Sequence, residues 1–182
     1  MKKIAFVVAV VSLMVVMVGC GTPQSQQSSP PPPPTVPVTP GYIQSHDYKL
    51  GFGFDYPENW TMEVTPYMPG QDPSLEKLEV YTKKGEPTKF EVSVKSTSFK
   101  GLAEIQAFGF IDRQSILKET FIEVNNRQAY EVIFWQYPID KARWITFLDN
   151  GKEYAIRFYT TEALYPANEG FFNHVIASFA ID

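Results

Sequence analysis

The chain of 182 residues holds one cysteine and two histidines. A single cysteine excludes an internal disulfide and any multi-cysteine metal site. Two histidines leave little material for a histidine-rich metal cage or for several histidine-based catalytic centres. The sequence has no Gly-x-Ser-x-Gly elbow, no His-Glu-x-x-His and no P-loop. Gly51-Phe52-Gly53 begins like a dinucleotide loop, but Tyr56 stands where a third glycine is needed and no helix follows. Asp149-Asn150-Gly151-Lys152-Glu153 lacks the twelve-residue ligand spacing of a calcium loop and reads as a turn. Catalysis by acids alone needs two carboxylates at fixed separation in a cleft, and no such pair is marked. These absences lead us to expect a chain that is not an enzyme and that takes no cofactor and no metal.

Basic residues are the minority, 16 against 20 acidic ones. Phosphate binding needs clustered Lys and Arg, so nucleic acid is not an expected partner. The remaining candidates for metal chemistry are few. His46-Asp47 lies at the entrance of the aromatic region and His174 near the end, so a His–Asp–His site would require the fold to join those ends. Glu162 and Glu169, around the start of the last helix, read as favourable charge at a positive helix end rather than as an acid–base pair.

What is present begins with an address. Lys2 and Lys3 precede an apolar run from Ile4 to Val18, broken only by Ser12. That run suits a secretory signal and falls short of the roughly 20 residues of a spanning helix. Met17-Val18-Gly19-Cys20 resembles the lipobox of bacterial lipoproteins, although Met17 and Val18 depart from its commonest residues. The resemblance implies residues 1–19 as a signal peptide and Cys20 as the lipidated new N-terminus, carrying a diacylglyceryl group and further acyl (palmitate-type) chains. Two or three such chains hold a protein stably on a bilayer. The expected location is the cell envelope: the outer face of the cytoplasmic membrane, or the outer membrane, which the uncharged Gly21 favours where there are two. Cleavage would leave 14 basic against 20 acidic residues, about −6.

Residues 20–41 read as a tether. From Gly21 to Pro40 there is no aromatic and no charged residue, and eight of the fifteen prolines fall there. Such a segment buries too little apolar surface to order itself. Its proline run favours an extended spacer that could reach on the order of 60 Å at about 3.1 Å per residue.

Residues 42–182 hold 26 of the 27 aromatic residues, ample for a core without disulfides. Phe90, Val92 and Val94 alternate with polar neighbours, Tyr154, Ile156 and Phe158 alternate with Ala155, Arg157 and Tyr159, and a third strand is marked by Leu78 and Val80. Tyr130 to Trp135 is more continuously apolar, as expected of a central strand covered on both faces. Asn125-Asn126 and Asn150-Gly151 predict tight hairpins joining 117–124 to 127–136 and 142–149 to 152–160. Leu102, Ile105, Phe108 and Ile111 predict one helix, weakened by Gly109. Pro166 followed by Phe172, Val175, Ile176 and Phe179 predicts a second. The order reads as α+β with a largely antiparallel sheet.

Two stretches carry a further resemblance. Phe52-Gly53-Phe54-Asp55-Tyr56-Pro57-Glu58-Asn59-Trp60 is similar to the opening strand and Tyr-Pro-x-x-Trp turn of PsbP-like domains. Phe172-Asn173-His174-Val175-Ile176-Ala177-Ser178-Phe179 resembles that family's terminal helix, which ends in Ser-Phe. The likeness spans about residues 43–182. It implies a sheet packed by helices on both faces, a PsbP-like α/β/α sandwich, within an extracytoplasmic accessory protein. The named members are extrinsic photosystem II subunits, yet many bacterial relatives have no photosynthetic role, and nothing in the chain selects photosystem II. Three functional expectations follow. The first is a lipid-anchored, non-enzymatic binding or assembly module for another envelope protein. The second is a small-ligand binder with aromatics lining a pocket for an apolar or sugar-like molecule. A photosystem II-type accessory subunit is the third, if the host is photosynthetic.

Overall fold

A computed structural model describes residues 39–64, 72–109, 111–137 and 139–182, all within one unit, Val36–Asp182. Cys20 and most of the tether lie outside the described residues. The first strand, β1 (Tyr42–Asp47), turns back into β2 (Phe52–Pro57). Asp47 closes that turn by accepting the backbone N–H groups of Lys49 and Leu50, both at 2.9 Å, while its other oxygen takes the Lys77 ammonium. Pro57 supplies no ladder donor. The chain turns there, and Trp60 opens β3 (Trp60–Val64) in a different sheet.

The remaining elements are β4 (Leu75–Lys83), β5 (Lys89–Ser96), α1 (Leu102–Phe108), β6 (Ile116–Val124), β7 (Arg127–Gln136), β8 (Ile139–Asp149), β9 (Lys152–Thr160), α2 (Tyr165–Ser178) and β10 (Ala180–Ile181). Seven strands form one sheet in the order β3-β4-β5-β9-β8-β7-β6, with every described pair antiparallel. The largely antiparallel expectation therefore holds, but there are two sheets. β1, β2 and β10 make the second, because β10, emerging from α2, takes the free edge of β2. Both predicted hairpin turns are in place. Asn125 and Asn126 take φ of 49° and 61°, and Asn150 and Gly151 take 47° and 74°, the left-handed geometry such turns need.

One face of the large sheet is a dense aromatic core. Phe90 (β5) and Phe158 (β9) meet Phe52 and Phe54 from the small sheet, Phe172 from α2, and Phe179 just beyond it. Phe179 stacks on Phe52, Phe54 and Phe147. The two sequence landmarks meet directly: the Ser178 hydroxyl donates to the Val175 carbonyl at 3.1 Å and accepts the Asp55 N–H at 2.9 Å. A second cluster on the alternate side chains joins Tyr130, Val132 and Phe134 of β7 with Ala142, Tyr159 and Ile105 of α1.

Two expectations need correction. α1 stops at Phe108, because Gly109 adopts a left-handed φ of 64° and ends it, so Ile111 joins the apolar contacts from beyond the helix. β7 is not central: it lies next to the edge strand β6, and Trp135 is 38% exposed at a register shift. Its interior residue Glu131 is 1% exposed. That carboxylate is held by Arg143 and Lys118, each at 2.6 Å, the condition under which a buried charge is tolerated. Among the described residues no helix is long and apolar enough to cross a membrane.

Candidate ligand pocket

Antiparallel registers line up side chains of one face in rows across the sheet. On the face carrying Tyr130 and Val132, one row runs Glu119, Val132, Trp144, Arg157, Glu91 from β6 to β5. The next runs Phe121, Tyr130, Thr146, Ala155, Ser93. A third continues Leu148, Glu153, Lys95. Thr146, Ala155 and Ser93 are small, and larger side chains stand in the rows on either side of them. The result is a depression over that middle row, where Thr146 lines the floor. α1 covers only part of it, since seven residues make a helix of roughly 10 Å while five strands span roughly 19 Å. The space left is a pocket of about 400 Å³, within the roughly 300–1,000 Å³ usual for small-molecule sites.

The pocket has two chemical zones. Ile105 of α1, Ile111, Ile116 and Val132 make an apolar wall. Trp144, Arg157, Tyr159 and Glu91 make the other, with Glu153 beyond. The carboxylates lining it are each engaged. Glu119 binds Arg113 at 2.8 Å and accepts the Tyr130 hydroxyl. The hydrogen bond from Tyr130 holds Glu119 below the usual carboxylate range. Burial, and then that same carboxylate, push the Tyr130 hydroxyl up. Glu91 takes Lys89 at 2.7 Å, and Glu153 takes Lys95 at 3.2 Å. Burial, followed by the charge of Glu91, raises Tyr159. Arg157 differs: it donates to the Ser93 hydroxyl at 2.8 Å and lies over the Trp144 ring at 5.0 Å. No lining residue is a histidine, cysteine or serine. The lining supplies apolar surface, hydrogen-bond donors, carboxylates and a cation.

The residues singled out in the sequence lie elsewhere. His46 is 3.4 Å from Asp182, and His174 is 3.5 Å from Asp55 with its ring against Tyr42. Each histidine thus has its own carboxylate, and the fold does not bring them into one site. The His46 ring does explain Gly53, where an added Cβ would stand 2.8 Å from its Cδ2. Among the described residues no group of three His, Cys, Asp or Glu could hold a metal ion. Glu162 and Glu169 are exposed, with Glu162 ahead of the α2 N-terminus. Cys20, the expected lipidation site, lies outside the described residues. Sequence reasoning missed Arg157, Trp144 and Glu119. Their only local signal is alternation, and the rows become visible once strand register is known.

No protein-family model matches the sequence, and no curated protein matches it. Solved structures do resemble the fold. A solution structure of cyanobacterial PsbP (CyanoP) from Synechocystis sp. PCC 6803 aligns with a TM-score of 0.61 at 16% identity, covering 78% of this chain and 93% of that one. A crystal structure from Bacteroides thetaiotaomicron VPI-5482 aligns at 0.52 with 9% identity, and there this chain spans 48% of the other. The fold of the described residues is therefore PsbP-like, with mostly antiparallel sheets and two helices.

Proposed function

We propose that the chain is a lipid-anchored extracytoplasmic protein, held to a membrane of the cell envelope through Cys20, that serves as a non-enzymatic binding module with the pocket beneath α1 as its site. The signal-like start, the Met17–Cys20 lipobox and the charge-free tether support the anchoring. The observation that carries the binding role is the pocket itself: about 400 Å³ on the face of the sheet beneath α1, with both apolar and charged walls. In the architecture we propose, α1 and α2 lie on opposite faces of the large sheet. Supporting this, Ile105 packs with Tyr130 and Val132, while Phe172 and Val175 share a core with Ala129.

The three tryptophans report on three regions. Trp144 lines the pocket, Trp60 is buried in the aromatic core, and Trp135 is exposed near the sheet edge. The full chain, labelled with 5-fluorotryptophan in lipid nanodiscs, is to be titrated with a library of small organic acids, amines, alcohols and sugars. At least one member is expected to move the Trp144 fluorine resonance saturably and leave Trp60 in place. If none does, the pocket is not a small-molecule site.

A second reading keeps the envelope-protein partner. Leu117, Phe121, Trp135 and Tyr137 are all exposed on β6 and at the end of β7, where Ile116 pairs with Phe134 beside two register shifts. Exposed apolar residues grouped at a sheet edge suit a protein contact. A partner docking there would move Trp135 and spare Trp144.

A further inference from the structure

The chain has four arginines, and three of them hold a carboxylate: Arg113 with Glu119, Arg127 with Asp149, and Arg143 with Glu131. Arg157, in the wall of the pocket, has none among the described residues. Its Nη1 is committed to the neutral Ser93 hydroxyl, and its flat face is taken by the Trp144 ring. A guanidinium carries five N–H donors in its plane, so stacking leaves the in-plane Nε and Nη2 edge for a planar anion. The carboxylates nearby do not repel such a guest as strongly as their number suggests. Glu91, Glu119 and Glu153 are matched by Lys89, Arg113 and Lys95, so among the described lining residues Arg157 is the charge left over. The chain as a whole is net −4.

From these observations we infer that the pocket takes an organic anion, with a carboxylate on Arg157 and an apolar body lying toward Ile105, Ile111 and Val132. This rests on the reading of the pocket as a ligand site and names the chemical class that site selects. A charge-assisted bidentate bond supplies orientation, and the apolar wall supplies the area that a bare anion lacks. A neutral or cationic molecule of the same shape would leave Arg157 unmatched on binding.

The test uses the labelled full chain in nanodiscs and four probes of known chemistry: 3-phenylpropionate, 3-phenylpropanol, 3-phenylpropylammonium and inorganic phosphate. The carboxylate is expected to shift Trp144 saturably. The alcohol, the amine and phosphate are each expected to bind about 10- to 100-fold more weakly, the range for one charge-assisted hydrogen-bonded contact. Arg157→Gln should remove the preference for acid over alcohol, and Arg157→Lys should restore only part of it, because the bidentate geometry is lost. The probe series on the unaltered protein decides the matter even if Arg157→Gln fails to fold. The alcohol or amine binding as tightly as the acid would overturn the anion assignment while leaving a small-molecule pocket. Phosphate binding equally well would remove the role of the apolar wall. Failure of every library member and every probe would overturn the pocket reading with it.

Discussion

The two faces of the seven-stranded sheet are built from the same strands by strict alternation, yet they differ in kind. On one, Phe90, Phe158, Ile145 and Ile156 meet a 14-residue helix and a second sheet, and nearly everything is buried. On the other, the cover is a seven-residue helix and the segment after it. A long cover seals a face and permits large apolar side chains. A short one leaves the sheet partly open, and the positions beneath it carry charges and small residues. The strands do not decide which face holds a site; the length of what lies over them does.

This comparison can be broken most forcefully by truncating one side chain on each face. Phe172 is 1% exposed and touches both Phe158 and Tyr165. Phe172→Ala is expected to cost about 3–5 kcal/mol, since its surroundings are too crowded to collapse inward. Ile105→Ala beside the pocket should fall near the low end of its class, about 2 kcal/mol, because the pocket already forfeits part of its packing. Urea unfolding of the full chain and both variants measures the gap. Equal losses would mean that the pocket face is as tightly packed as the other.

How far this difference could be foreseen depends on which level of structure carries it. The aromatic face was legible: Phe90-Val92-Val94 and Tyr154-Ile156-Phe158 announce it by period two, and the Asn turns set both hairpins. Pro166 marked the start of α2 as well. The pocket face was not. Ser93, Thr146 and Ala155 become one row of small residues only when three strands are placed in register, and α1 ends at a glycine whose stopping power the apolar stripe masked. The second sheet escaped for a related reason: β10 has two residues, and its pairing with β2 closes over more than a hundred positions. The two histidines offered a conceivable His–Asp–His arrangement that would need the ends of the domain to meet. The fold instead gave each a separate carboxylate and put on β9 an arginine with no carboxylate partner among the described residues.

Charge sharpens the comparison next. Glu131 on the packed face is buried, whereas the Glu119 side chain on the pocket face is 18% exposed. Burial alone would raise the carboxyl of Glu131, but Lys118 and Arg143 outweigh it and hold it below its ordinary value of 4.5. A folded value below the unfolded one means the native state prefers the ionised form. The stability this group contributes is therefore complete above about pH 4.5 and is lost as pH falls through the lowered folded value. Glu131→Gln is expected to cost about 3 kcal/mol at pH 7, because it strands the mostly buried Arg143 guanidinium. Its deficit relative to the parent should shrink by pH 3. Glu119→Gln, beside a largely exposed arginine, should cost about 1 kcal/mol or less. A pH-independent deficit for Glu131→Gln would show that its carboxylate is not the ionised partner of Arg143.

The smallest expected effect is also the most discriminating, because it adds atoms instead of removing them. Ala129 lies fully buried on the packed face, and Thr146 lies on the pocket floor at 6% exposure. By exposure alone the two look alike. Ala129→Leu must push into Phe-rich surroundings and is expected to cost about 1–3 kcal/mol, the usual toll of overpacking. Thr146→Leu adds its carbons to a space of about 400 Å³. It removes a hydroxyl that makes no hydrogen bond among the described residues, so the expected cost is under about 1 kcal/mol. The same substitution fills the floor between Tyr130 and Arg157, so 3-phenylpropionate should no longer shift Trp144. A stable Thr146→Leu that has lost the probe would separate the pocket's role in binding from any role in folding. A Thr146→Leu as damaged as Ala129→Leu would mean that the floor has no room, and the contrast between the faces would not extend to their packing.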